Sequence, residues 1–293
     1  MNISNSTYII FIEIAMELVS LIKPYSSKYS KRTFTQQQLF ILLILKQKLK
    51  LSYAELVEDM KTRATILPMI GLYTLPDQST IRKFAKRIQS SLITDLIGSC
   101  INLTKKKELN LGIDSTGYHI EDGSFHYRNR LGRSSKTRKS LKLSLVVETD
   151  EQLIIVPKIR KSKAHDNIDF ISLMKKSSKI KPILRIAADK AYDSEENYKF
   201  VYKNLNAKPL IAYRTYGEKR IPRNNRKYRN KARREFDDKE YHQRSKVETV
   251  NFVMKRLFGS IIYAKKWVMQ EKELLFKCLA YNIHRLVKMR ISL

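Results

Sequence analysis

Two short apolar runs, each ending on an aspartate, constrain this chain more than any other feature of it. Leu109, Leu111 and Ile113 alternate into Asp114, and Ile183 to Ala188 runs into Asp189. Apolar runs of this length read as buried strands. A third acid, Glu248, lies in YHQRSKVETVNFVMK, a long segment with helical periodicity. Strands that alternate with helices make an α/β layer arrangement. Acids at strand ends and on a helix are how such a fold gathers carboxylates for a divalent metal.

Successive helical residues rotate by about 100°, which tests the third segment. With Tyr241 as origin, Arg244, Glu248 and Lys255 fall at roughly −60°, −20° and −40°, inside one arc of about 60°. Val247, Val250, Val253, Met254, Leu257 and Phe258 cluster on the opposite half, as a core-facing surface requires. One face of this helix packs and the other is free to work.

The order Tyr241, two residues, Arg244, three residues, Glu248, six residues, Lys255 resembles the YREK signature of DDE transposases from prokaryotic insertion sequences. GIDST around Asp114 and ADKAYDS around Asp189 are similar to the family's blocks for the first two catalytic acids. AHDN at Ala164 to Asn167 resembles its His-Asp block, and LPDQST at Leu75 to Thr80 its upstream Pro-Asp-x-Ser-Thr block. The resemblance implies an α/β fold: an RNase H-like catalytic domain, a mixed sheet flanked by helices, preceded by an all-α N-terminal domain.

It also implies Asp114, Asp189 and Glu248 as catalytic residues and metal ligands, holding two Mg²⁺ or Mn²⁺ ions. Hard oxygen ligands suit those ions, and a pair of them about 4 Å apart can flank a scissile phosphate. Three clustered carboxylates without metal repel one another and raise at least one pKa. By the same resemblance Tyr241 and Lys255 hold the phosphates of the element ends, and Arg244 pairs with phosphate or orients Glu248 from one turn away. The bland reading of Arg244 and Glu248 is a surface i,i+4 pair. Lys190 follows Asp189 closely enough to touch DNA, whereas Tyr192 reads equally well as core. His119 and His165 lack a second ligand at fixed spacing, so zinc is not supported. Trp267 reads as helix packing before base stacking.

Composition bounds the partner. The chain carries 58 Lys and Arg against 28 Asp and Glu, a formal charge of +30. This exceeds what solubility needs and points to a polyanion; the resemblance implies that it is double-stranded DNA, as element end and as target. The charge is densest from Lys219 to Arg234, where Arg226, Arg229 and Arg233 are candidate phosphate contacts and binding should weaken steeply with salt. Cys100 and Cys278 form no metal-type or disulfide framework, which argues for a reducing interior. The apolar stretch Tyr8 to Ile22 is interrupted by Glu13 and Glu17 and reads as a soluble helix, not a signal or membrane span. A cytoplasmic, nucleoid-associated prokaryotic protein is expected, with no membrane and no small-molecule cofactor.

Residues 1–105 read as a helical, DNA-binding N-terminal domain, with helices Tyr8 to Ile22, Thr35 to Leu49 (Thr35 and Gln38 as a capping box), Tyr53 to Thr62 and Ser79 to Ile97. Asp77 or Ser79 caps the last of these, and Arg82, Lys83, Lys86 and Arg87 on it either reach phosphates or base edges or are the charged outer face of an ordinary helical bundle, so the domain reads as DNA-binding by charge and not by motif. Residues 106–293 read as the RNase H-like DDE domain with C-terminal helices. Its expected strands are Leu109 into Asp114, Phe125 to Arg128, Leu141 to Glu148, Gln152 to Lys158, Ile183 to Ala188 and Pro209 to Tyr213. Its expected helices are Asn167 to Lys176, Ser194 to Asn204, the one bearing Glu248, and Gln270 to Arg290.

The reading is a DNA transposase that cleaves insertion-sequence ends with metal and transfers strands into target DNA, as a homodimer that positions two ends. Two alternatives remain open: an RNase H-like nuclease that does not join strands, and a catalytically silent, transposase-derived DNA-binding protein. The 59 residues from Asp189 to Glu248 leave little room for the inserted domain that some relatives carry there.

Overall fold

The computed structural model of the chain describes residues 6–121, 130, 140–161, 165–213 and 226–292. The expected strand Phe125 to Arg128, Ala164 of the AHDN block and the start of the basic run, up to Asn225, lie outside the described residues. Two compact units are present. One is formed by Met1–Cys100 with Met254–Leu293, the other by Ile101–Val253.

The first unit is helical. Its helices are α1 (Thr7–Val19), α2 (Gln36–Leu49), α3 (Tyr53–Lys61), the single turn α4 (Ile66–Met69), α5 (Gln78–Arg87) and α6 (Ser90–Ser99). Thr35 and Gln38 form the capping box of α2, and Ser52 and Glu55 form a second one on α3; each satisfies two backbone donors that a helix start leaves bare. Asp77 caps α5.

The single helix expected over Ser79 to Ile97 is two, because Ile88 and Gln89 are extended. No Gly or Pro marks the break. Burial of Ile88 favours it, and the Lys272 ammonium donates to the freed carbonyls of Ala85 (3.1 Å) and Lys86 (2.6 Å). Phe40 lies at the centre of this core, with ring centroids 5.6 Å from Phe84 and 5.7 Å from Phe276.

The second unit is built on five strands: β1 (Leu109–Ile120), β2 (Ser140–Glu148), β3 (Leu153–Arg160), β4 (Ile183–Ala188) and β5 (Lys208–Ile211), in the order β3-β2-β1-β4-β5. β1 pairs antiparallel with β2, and β2 with β3; β1 pairs parallel with β4, and β4 with β5. Helix α7 (Asn167–Ser177) packs on β2 and β3, and α8 (Glu195–Phe200) continues as a π turn, Val201–Leu205. Then come α9 (Lys227–Arg234), the short α10 (Asp238–Tyr241) and α11 (Ser245–Phe258), inside which the boundary between the units falls. This is the mixed sheet flanked by helices of an RNase H-like domain, and all-α structure precedes it.

β1 outruns expectation. Its parallel pairing ends at Ile113↔Ala188, but its antiparallel pairing with β2 continues to His119↔Ser140. Asp114 thus ends only the parallel half of the strand. The last helix, α12 (Trp267–Ile291), belongs to the first unit and packs with α1, α2 and α6. Its buried Lys277 donates to the carbonyls of Gly259 (3.1 Å) and Ile261 (2.7 Å), which explains a lysine in an otherwise apolar stretch. No helix among the described residues is long and apolar enough to cross a membrane.

Candidate active site

The parallel register decides the position of the first two acids. Ile113 and Ala188 are partners, so Asp114 and Asp189 follow at adjacent positions on strands whose spacing is about 4.8 Å. β4 stops at Ala188, and Asp189 turns the chain into a 3-10 turn by accepting from the Lys190 amide at 2.6 Å. That lysine side chain is exposed.

α11 supplies the third acid. A Cβ on Gly112 would collide with the Val247 side chain, so glycine there lets the helix approach β1 this closely. Glu248 is the next residue. It is exposed, with Oε1 accepting from the Arg244 guanidinium at 2.5 Å. Asn251, one turn further on, is buried and donates from Nδ2 to Asp114 Oδ2 at 3.1 Å.

Burial raises the Asp114 pKa, and the negative charge of Glu248 adds to that, while Arg244 and the Asn251 hydrogen bond pull against it. Burial likewise raises the Tyr241 phenol, with Arg244 lowering it and Asp189 raising it. Burial works against the Arg244 charge, but Tyr241, Glu248 and Asp189 outweigh it and raise its pKa. Arg244 therefore lies in the fields of Asp114, Asp189, Tyr241 and Glu248. Among the described residues no three His, Cys, Asp or Glu side chains stand close enough together to hold a metal ion; Glu248 is turned onto Arg244.

The single helix expected from Tyr241 onward is α10, a 3-10 turn over His242–Arg244, and then α11. A 3-10 turn winds faster than an α-helix, so Tyr241 is out of phase with the stripe projected for it. Arg244 and Glu248 keep their i,i+4 contact, and Lys255 lies beyond Met254, where the chain belongs to the first unit.

The other expected contacts divide. Arg82, Lys83, Lys86 and Arg87 are all exposed on α5, opposite the buried Ile81, Phe84 and Ala85. Arg226 precedes α9 and is half-buried. Arg229 is 4% exposed and pairs bidentately with Asp193, with Nε donating to Oδ1 at 2.6 Å. That is a structural ion pair, not a free phosphate contact. Arg233 lies over the Tyr213 ring, 4.9 Å from its centroid. Tyr192 is core, and His119 and His165 are exposed.

Asn251 was not among the residues that the sequence marks. Its signal was present, a polar side chain three residues after Glu248, but an amide inside an apolar helix face reads as tolerated until its partner is known. A cavity of about 380 Å³ opens near Asn110, Asp150, Arg185 and Glu240, at the starts of β1 and β4. Its groups are tied to one another: Arg185 donates to Asn110 Oδ1 (2.7 Å) and Glu240 Oε1 (2.8 Å), and Asn110 to Asp150 (2.8 Å).

No curated protein matches the chain. Among solved structures, that of the piggyBac transposase synaptic complex with hairpin DNA aligns at 13% identity with a TM-score of 0.49, covering 99% of this chain and 76% of that one; at that level the likeness carries no argument. The family described as transposase DDE domain matches residues 107–283. That is more than half of the sequence, and the chain belongs to the DDE transposase family.

Proposed function

We propose that this transposase cleaves phosphodiester bonds at the ends of an insertion sequence and transfers the freed 3′ ends into target DNA, using Asp114, Asp189 and Glu248. The observation that carries the reading is the parallel pair Ile113↔Ala188. Asp114 and Asp189, 75 residues apart in sequence, each follow a member of that pair, and the Glu248 charge on the neighbouring helix adds to the raised Asp114 pKa.

The donor set fits Mg²⁺ or Mn²⁺ in kind, since hard carboxylate oxygens are what those ions take. Burial raises the Asp114 pKa and the Glu248 charge adds to it, and a cation bound there would favour the ionised carboxylate. When bound, two such ions supply an activated water or 3′-hydroxyl and stabilise the departing oxygen. The protein's own contribution is position. Asn251 holds the Asp114 carboxylate, and Arg244 holds Glu248 in a pair exposed enough to be given up, because such pairs contribute at most about 1 kcal/mol.

Tyr241, Arg244, Lys255 and Lys190 contact the phosphates of the element end. Arg82, Lys83, Lys86 and Arg87 form a second basic surface in the helical N-terminal region. Two ends handled together call for a homodimer on DNA.

The test incubates purified protein with duplexes carrying candidate element ends and Mg²⁺. Specific nicks and joined products are expected, and Asp114→Asn should abolish both while retaining DNA binding. Nicks without joining would favour a nuclease. Binding without Mg²⁺-dependent turnover would leave a silent binder, and cleavage by Asp114→Asn at the wild-type rate would refute the assignment of the site.

A further inference from the structure

Helix α9 presents two faces, and the half that Arg229 and Arg233 occupy is turned inward. At about 100° per residue, Lys227, Lys231 and Arg234 fall inside an arc of about 60°, while Arg229 and Arg233 lie on the opposite half. The structure agrees with the phase. Arg229 is sealed against Asp193 and Arg233 lies over Tyr213, whereas Lys227, Lys231 and Arg234 are exposed.

The outward stripe forms one wall of a groove of about 840 Å³, whose other wall is the π turn carrying Tyr202 and Lys203. Glu195 anchors the helix from below, its two carboxylate oxygens each accepting at 2.9 Å from the amides of Tyr228 and Arg229. Tyr202 and Tyr228 line the groove with ring centroids 6.2 Å apart, and the Lys231 ammonium lies 4.4 Å from the Tyr202 centroid.

Among the described residues the only carboxylate lining the groove is Glu235, which already accepts from the Tyr202 hydroxyl at 2.7 Å and stands 3.8 Å from Lys231. Lys203, Lys227 and Arg234 have no acidic partner among the described residues. The π turn ends at Asn206 with φ +49°. Such turns are rare and concentrate at functional sites.

From these placements we infer that this groove grips the phosphodiester backbone of duplex DNA, with Lys227, Lys231 and Arg234 along one wall and Lys203 on the other. Arg229 holds the helix in place and touches no phosphate. The inference rests on the proposed DNA-processing role and names the surface of the basic segment that meets the polyanion. The stripe runs about 10 Å along the helix axis, on the scale of three base-pair rises. Four cations facing one carboxylate repel one another, and a polyanion relieves that repulsion with release of counterions.

The test measures fluorescence anisotropy of a labelled duplex over a range of salt concentrations. It compares the full chain with a triple variant, Lys227→Gln, Lys231→Gln and Arg234→Gln, and with an equal-charge control, Lys107→Gln, Lys176→Gln and Lys179→Gln, at exposed positions elsewhere in the same unit. The stripe variant should bind on the order of tenfold more weakly, with a log K against log salt slope shallower by about 2 to 3, and the control should keep the wild-type slope. Lys203→Gln, on a separate element, should flatten the slope by about 1 and remains informative if the triple variant does not fold.

An unchanged slope in the folded stripe variant or in Lys203→Gln, or an equal loss in the control, overturns the inference and leaves the DNA-processing role standing. A wild-type chain that binds no duplex in a salt-dependent way removes both.

Discussion

Two arginine–carboxylate pairs in the sheet unit have the same chemistry and opposite characters. Arg229 and Asp193 are sealed, with side chains 5% and 0% exposed, whereas Arg244 and Glu248 keep 20% and 54% of theirs. A sealed pair has no water to fall back on, so removing one partner strands a buried charge. An exposed pair is screened and contributes little. The first is therefore suited to hold an element in place, and the second to change partners when substrate and cation arrive. Exposure, not residue type, separates scaffold from site.

The comparison can be broken most decisively at its sealed half. Asp193→Asn leaves the Arg229 charge buried without a counter-charge, and the expected loss is about 3–5 kcal/mol in urea unfolding; a loss under about 1 kcal/mol would mean that the pair is not structural. Next in size is Gly112→Ala, which pushes α11 off β1 and should destabilise by about 1–3 kcal/mol while lowering cleavage. Adding Val247→Ala should restore part of both, and failure of that rescue would break the link between close packing and the position of Glu248.

Smaller still is the effect of Mg²⁺ on the melting temperature. At ten times its dissociation constant the ion should stabilise wild-type protein by about 1.4 kcal/mol and leave Asp114→Asn unmoved. An equal shift in both would locate binding elsewhere. The smallest effect is expected from Arg244→Ala, below about 1 kcal/mol in stability yet with DNA cleavage strongly reduced. A large loss of stability would make that pair structural too and erase the contrast.

Much of the architecture was legible in the sequence because it is written in local patterns. Strand Ile183–Ala188 was read to the residue, and the Thr35–Gln38 capping box was visible as a spacing. The carboxylates at Asp114 and Asp189 were marked by the apolar runs before them. The helix break at Ile88 was not legible, because no breaker residue is there and the reason for it, the buried Lys272 ammonium, comes from 184 residues away in sequence. Asn251 was missed for the same reason: its partner Asp114 is distant in sequence. The inward turn of Arg229 depends on Asp193, which nothing local to the basic run announces.

By itself the sequence determined the order of most of the described strands and helices and the excess of positive charge. These follow from periodicity and composition within short windows. Tertiary structure alone decided which strand lies beside which, that β1 continues past Asp114, which arginines are sealed and which face of α9 remains open. Those outcomes depend on burial and pairing between segments far apart in the chain, where the free energy of removing a charge from water outweighs any local preference.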